Sequence, residues 1–508
     1  MALADLRNHL LSFVTPKSHS YSALPENVSQ DELQRRAKAW AERHKAAVKL
    51  TLAAMIFAAI GFFIVSFARA TKNSSCDTVK HGFQCGTEMS HSWGPYSPFY
   101  SVPSDISASM PAGCEVTFAQ VLSRHGARDP TDSKTAMYGA LLDQIHSGVT
   151  EYGKKFKFIK DYEYTLGADQ LTVFGEQELV NSGIHFYNRY EKLASNITPF
   201  IRSAGQERVV QSATNWTQGF HQARLADKQP HSPDAYPYDM LVLPEDDFNN
   251  TLSPNTCTAF EEGPDTGKAA QAIWMDIFVP PITERMNNNL PGANLTDEQT
   301  IYLMDLCPFN TVAHDQGDIS RFCHLFSVDE WNDYDYYQSL GKWYGYGNGS
   351  PWGSTQGVGF VNELIARLTG EAVQDHTSTN TTLDGSDSTF PLSNVLYADF
   401  SHDNDMTGIY AALGLYNGTE PLSNTTKVSP RDANGYSASW TVPFAARMYV
   451  EKMSCEGEDE QLVRVLVNDR VIPLQNCGAD ELGRCKLNSF VDSLSFARNG
   501  GHWDECFR

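Results

Sequence analysis

The chain has 508 residues, 41% of them apolar, enough to bury a large core and too many for wholesale disorder. Its formal charge of −22 excludes a general nucleic-acid binder, which needs a basic face. The same acidity makes any local cluster of arginines informative.

Residues 1–34 are polar, include Pro16 and Pro25, and read as a tail; 35–49 are basic and alanine-rich, as in a helical extension. The run Leu50 to Ala68, "LTLAAMIFAAIGFFIVSFA", is 19 residues without a charge. As a helix it spans about 28 Å, close to the hydrocarbon thickness of a bilayer. Arg35, Arg36, Lys38, Arg43, Lys45 and Lys49 precede it, and only Arg69 and Lys72 follow closely. The positive-inside bias therefore predicts a type II signal anchor: cytoplasmic tail 1–49, transmembrane helix 50–68, and residues 69–508 extracellular or lumenal. "ARA" at Ala68–Ala70 resembles a signal-peptidase site, and cleavage near Ala70 would give a secreted form. All ten cysteines follow the apolar run, which predicts five disulfides in an oxidising compartment. No C-x-x-C or H-E-x-x-H occurs, so no metal site is expected. The region after the run also carries nine N-x-S/T sequons, at Asn73, Asn196, Asn215, Asn249, Asn294, Asn348, Asn380, Asn417 and Asn424, which predict a glycoprotein.

After a short stalk, "EVTFAQVLS" (115–123) reads as a strand ending in a glycine-containing turn. The turn, "SRHGARDP", sets His125 between Arg124 and Arg128 at a strand end, where open α/β sheets bind ligands. Two guanidiniums match the geometry of phosphate oxygens, and a neutral imidazole between them is a nucleophile suited to phosphorus. "TVFGEQELVNSGIHFYNRY" predicts a helix N-capped by Thr172, with Val180, Ile184 and Tyr187 on its inner face, widened by Leu179, Phe186 and Tyr190. "TPFIRSAG" is short and extended. The stretch 205–340 is patterned mainly for helix, as in "NWTQGFHQARLA" and "TDEQTIYLMDL". "NVLYADFS" (394–401) and "LVRVLVND" (462–469) are further strands. Strands at both ends with a helical middle predict an α/β domain, about 76–204 and 341–508, with a central mixed sheet flanked by helices. A smaller, mainly helical domain would be inserted at about 205–340.

"RHGARDP" matches the R-H-G-x-R-x-P signature of the histidine acid phosphatases, and "SHDND" (401–405) matches that family's H-D motif. The resemblance is closest to the fungal phytase branch and runs from "CDTV" at Cys76 to "ECFR" at 505–508. It implies that His125 is the nucleophile, that Arg124, Arg128, Arg202 and His402 bind phosphate oxygens, and that Asp403 is the general acid. An alkoxide is a poor leaving group, so a carboxylic acid within reach lowers its barrier. Neither half-reaction requires a metal or other cofactor. The resemblance also implies the pairs Cys76–Cys85, Cys114–Cys455, Cys257–Cys506, Cys307–Cys323 and Cys477–Cys485.

In the resembling phytases, lysines hold the outer phosphates of inositol hexakisphosphate. Here Lys154, Lys155, Lys157 and Lys160 are the corresponding candidates, together with Lys342, which follows Gly341 where the family has a second lysine. Asp129 stands where the fungal motif has tyrosine, and Pro95 where a glutamine is frequent. These departures leave two enzymatic readings open, a phytase and a broader acid phosphatase. A binding glycoprotein on an inactive scaffold is the reading from another class. "GPDTGKAA" (263–270) is not a phosphate-binding loop: three residues rather than four stand between its glycines, and Ala269 stands where Mg²⁺ needs a hydroxyl.

Overall fold

The computed structural model describes residues 87–508 apart from 228–235, 247 and 315–316, together with 31, 34, 35, 38, 39 and the backbone of 77, 78, 82 and 83. The apolar run 50–68, Asn73, Cys76 and Cys85 lie outside the described residues. Among the described residues no helix is long and apolar enough to cross a membrane.

Two short strands, β1 (Asp77–Thr78) and β2 (Gly82–Phe83), pair antiparallel. The main sheet opens with β3 (Cys114–Arg124), followed by α1 (Asp132–Gly148), α2 (Val173–Arg189), β4 (Phe200–Ala204), α3 (Glu207–Ala226) and β5 (Leu241–Leu243). Next come α4 (Asp297–Ala313), α5 (Val328–Gly345), α6 (Val358–Thr369), β6 (Leu396–Ser401) and α7 (Asp403–Ala412). The chain then adds β7 (Arg447–Cys455), β8 (Leu462–Val467), β9 (Arg470–Ile472) and β10 (Arg484–Lys486). The strand order is β10-β8-β7-β3-β6-β4-β5, with β9 beside β8. From β3 through β6 and β4 to β5 the pairing is parallel; β7, β8, β9 and β10 join antiparallel, so the sheet is mixed as expected.

The central strands are covered on both faces, which is why they are continuously apolar rather than alternating. The last seven residues of β3 and all six of β6 are buried. Thr172 caps α2 by accepting from Gly175 N, a bond typically worth about 1 kcal/mol. The buried face of α2 is centred on Leu179, Ser182, Gly183, Phe186 and Tyr187, while Val180 and Ile184 are only half-buried. The expected face is thus rotated, because α3 packs along α2 and its Trp216 bridges Phe186 and Phe400 at ring distances of 5.2 and 5.8 Å. The segment expected as a helical insertion therefore begins inside the sheet's own helical layer, and its strand β5 extends the parallel sheet beside β4. Residues from Ser75 onward form one compact unit.

Among the described residues four disulfides are present, Cys114–Cys455, Cys257–Cys506, Cys307–Cys323 and Cys477–Cys485, each as the resemblance implied. Within "GPDTGKAA", the Asp265 carboxylate caps the helix Thr266–Phe278 by accepting from Lys268 N at 2.8 Å, a purely local role.

Candidate active site

Strand register assembles the site. In the parallel pair β3/β6, Arg124 lies opposite Ser401, so the residues that leave the sheet next, His125 and His402, emerge side by side. His125 N donates to Ser401 O at 3.2 Å, and the two imidazoles lie 5.7 Å apart. Beyond His125 the loop presses against the first turn of α2. A side chain at Gly126 would sit 2.3 Å from Gly175 O, and one at Gly175 would sit 1.9 Å from Ala127 O, so both positions require glycine. The buried Glu178 carboxylate fastens this loop, accepting from Ala127 N and from Phe99 N at 2.9 Å each. Burial pushes Glu178 up to about 7, against the pull of those two N–H groups and of Arg124 and Arg447.

His125 is fully enclosed, and Nδ1 lies 2.9 Å from Gly126 O. A carbonyl only accepts, so Nδ1 carries the proton and Nε2 keeps its lone pair. Burial first, then Arg124, Arg128 and His402, hold His125 well below the usual histidine range, so it stays neutral in acid. Arg124 is buried at the bottom of the site. Its Nη1 donates to Pro95 O and, at 2.8 Å, to Val442 O, its guanidinium lies 4.7 Å from the Phe444 ring, and its Nη2 is 3.2 Å from Asp403 Oδ2. Burial lowers Arg124 to about 10, which leaves it charged. Arg128 Nη1 donates to Asp129 O at 2.7 Å, while its Nε is buried without a partner.

Asp403 opens α7, and Lys342 reaches it from α5, donating to Oδ2 at 2.7 Å and to Asn404 Oδ1. Burial alone would raise the Asp403 carboxyl; Arg124 and Lys342 overrule it and hold the group well below the carboxylate range. His402 Nε2 donates to Glu245 Oε1 at 3.1 Å, and Glu245 also accepts from Gln206 N at 2.8 Å.

These groups line a cavity of about 400 Å³. His125, Arg128, His402 and Asp403 are on its wall, with Arg124 directly behind Asp403. Arg202 is not there. Its guanidinium lies within the sheet layer, bonded to Asp399 at 2.8 Å and Glu363 at 2.7 Å, and is 2% exposed. The second arginine on the wall, beside Arg128, is Arg208, in the first turn of α3, whose buried Nε has no partner. Lys154, Lys155, Lys157 and Lys160 are exposed and outside the lining, and Lys342 is spent on Asp403 and Asn404. Asp129 and Pro95 are also outside the lining. Glu245, Glu261 and Asp405 complete the charged wall, beside Tyr346 and Phe260. Sequence reading missed Arg208, Glu178 and these three carboxylates. Arg208 alone left a signal, a second arginine six residues beyond the one in "FIRSAG". Among the described residues no group of His, Cys, Asp or Glu is arranged to hold a metal ion.

Residues 115–468 match the histidine phosphatase superfamily (branch 2). The chain is 53% identical over 441 residues to Phytase A of Aspergillus oryzae, covering 86% of this chain and 94% of that protein. It is 54% identical over 449 residues to Phytase A of Aspergillus fumigatus, covering 87% and 96%. Among solved structures, the phytase from D. castellii aligns with a TM-score of 0.64 at 22% identity, covering 82% of this chain and 87% of that one. The phosphate complex of the Bifidobacterium longum multiple inositol polyphosphate phosphatase aligns at 0.58 and 17%, covering 80% and 97%. The chain belongs to the histidine phosphatase superfamily, branch 2. Within it, this chain is a phosphoric monoester hydrolase.

Proposed function

We propose that this protein is an acid phosphatase of the phytase type, hydrolysing phosphate monoesters, inositol hexakisphosphate among them, through a phosphohistidine on His125. The observation that carries this reading is a neutral imidazole with Nδ1 tied to Gly126 O and Nε2 free, in a cavity walled by Arg128, Arg208, His402 and Asp403. The phosphoryl group sits between Arg128, Arg208 and His402, with Arg124 beneath. Nε2 attacks phosphorus in line as the ester P–O bond breaks, and the Asp403 proton passes to the leaving oxygen. Water then attacks phosphorus, its proton returns to Asp403, and the imidazole leaves neutral as inorganic phosphate departs. Guanidiniums stabilise the charge on the equatorial oxygens throughout.

Asp403 is ionised in the free enzyme, so it must take up its proton when the phosphate dianion enters, since a nearby anion raises a carboxyl. Acidic solution favours that uptake, and His125 stays unprotonated there. A second reading, a broader acid phosphatase, is supported by the carboxylates Glu261 and Asp405 on the wall and by the absence of Lys154–Lys160 from it.

The same proposal places the catalytic part outside the cytoplasm, supported by four disulfides. It takes residues 50–68 as a signal anchor on their length, lack of charge and basic flank, and the sequons as glycosylation sites. The decisive test is rapid quenching into base during turnover of ³²P-labelled substrate, followed by peptide mapping. Base-stable label on the His125 peptide, absent from His125→Ala, is expected. Label elsewhere, or none during active turnover, overturns the mechanism.

A further inference from the structure

Two carboxylates on the cavity wall have no part in that mechanism. The other charged wall groups are engaged or face the reacting phosphate. Asp403 is bound by Arg124 and Lys342, and Glu245 by His402 and Gln206 N, while Arg128 and Arg208 present donors. Asp405, in the first turn of α7, and Glu261, at the end of the short helix Thr258–Glu261, line the same cavity. Among the described residues neither carboxylate makes a hydrogen bond or an ion pair. Once the transferred phosphate has taken the two arginines, the remaining charge on the wall is negative. A second phosphate on the same substrate enters against it.

Resting on the phosphatase reading above, we propose that Asp405 is a specificity-determining residue that makes acceptance of polyphosphorylated esters depend on acidity. Uncharged, it admits a substrate with several phosphates; ionised, it turns the cavity toward esters with one. The groups facing it fix the sign. Asp403 and His402 lie at the start of its own helix, Lys342 comes from α5, Glu245 follows β5, Glu261 comes from the short helix, Arg208 from α3, and His125 and Arg128 from the loop after β3. Burial raises the Asp405 carboxyl well above the usual range, and Glu245, Asp403 and Glu261 raise it further against Lys342. A phosphate-laden substrate adds more negative charge, so it favours the protonated form. Raising the pH therefore ionises Asp405 and penalises polyphosphate binding, while lowering it removes the penalty. A like charge roughly 8 Å away at a protein-surface dielectric changes binding by about tenfold or more.

The test uses the full-length protein and the ratio of kcat/KM for inositol hexakisphosphate to kcat/KM for p-nitrophenyl phosphate, measured from acidic to alkaline pH. In Asp405→Asn the ratio at the high-pH end should exceed that of the unaltered protein by about five- to thirtyfold, and the two should converge to within about twofold in acid. Asp405→Ser should repeat this result, which covers a folding defect peculiar to the asparagine, and Asp405→Glu should keep the original profile. Ratios that superimpose at every pH overturn the proposal while leaving the phosphatase reading intact. Turnover of neither substrate by the unaltered protein overturns both.

Discussion

Arg202 and Arg208 are six residues apart, and the structure puts them to opposite uses. Arg202 is on β4, inside the sheet layer, where two buried carboxylates hold its guanidinium. Nε and Nη2 bond to Asp399 and Glu363, Arg367 binds the same Asp399 at 2.6 Å, and Thr251 holds Glu363 at 2.9 Å. Burial opposes the charge on Arg202, but its two carboxylates more than offset that and raise its guanidinium above the ordinary range. Arg208 stands past the end of the strand, in the first turn of α3, with one exposed-side partner, Asp169 at 3.3 Å, and a buried Nε that has none. Burial and the neighbouring Arg128 lower it. A cation with its bonds filled stiffens the scaffold; a cation with bonds to spare can hold an anion.

Three substitutions probe that contrast. The largest effect is expected from Arg202→Met, which leaves Asp399 and Glu363 buried without their partner. It should lower unfolding free energy by about 3–5 kcal/mol in denaturant titrations, while the folded fraction keeps its KM. A rise in KM with unchanged stability would move Arg202 into the binding site. Next, Arg208→Gln should reduce kcat/KM by about 10²–10³ with the thermal midpoint little altered, as for loss of one transition-state donor. A purely thermal defect would break the comparison from the other side. The smallest expected effect is that of Glu178→Gln, which tests how the loop behind His125 is fastened. The folded-state carboxyl is raised to about 7, above its unfolded value near 4.5, so folding binds a proton between those limits and ionised Glu178 costs stability above them. Relative to the unaltered protein, the glutamine variant should therefore gain stability as pH rises from 4.5 to 7, by roughly 3 kcal/mol across the window. A pH-independent difference would show that the clamp, rather than its charge, dominates.

The strands that carry chemistry were legible because they are apolar runs stopped by a turn, and their parallel register made His125 and His402 neighbours without further help. The cap at Thr172 was legible for the same local reason. Arg202 was misplaced because the end of β4 decides which arginine reaches the ligand edge. The strand stops at Ala204, so the edge is occupied by the first turn of α3, and pattern alone does not fix that boundary. Lys154, Lys155, Lys157 and Lys160 supply the residue type that the resemblance implies, but their direction depends on how the turn packs, and they are exposed to solvent. The acidic wall was illegible in principle: Glu245, Glu261 and Asp405 come from three separated segments that only the folded chain brings together.

The bond between Cys257 and Cys506 carries a consequence for the mouth of the cavity. Cys257 immediately precedes the short helix bearing Phe260 and Glu261, and Cys506 O receives both Ala259 N at 2.9 Å and Thr258 Oγ1 at 2.6 Å. A segment 249 residues away in sequence is thus the hasp that keeps this rim shut in place. Without that bond the rim would hang on these two hydrogen bonds alone, while the sheet beneath keeps its own ladder.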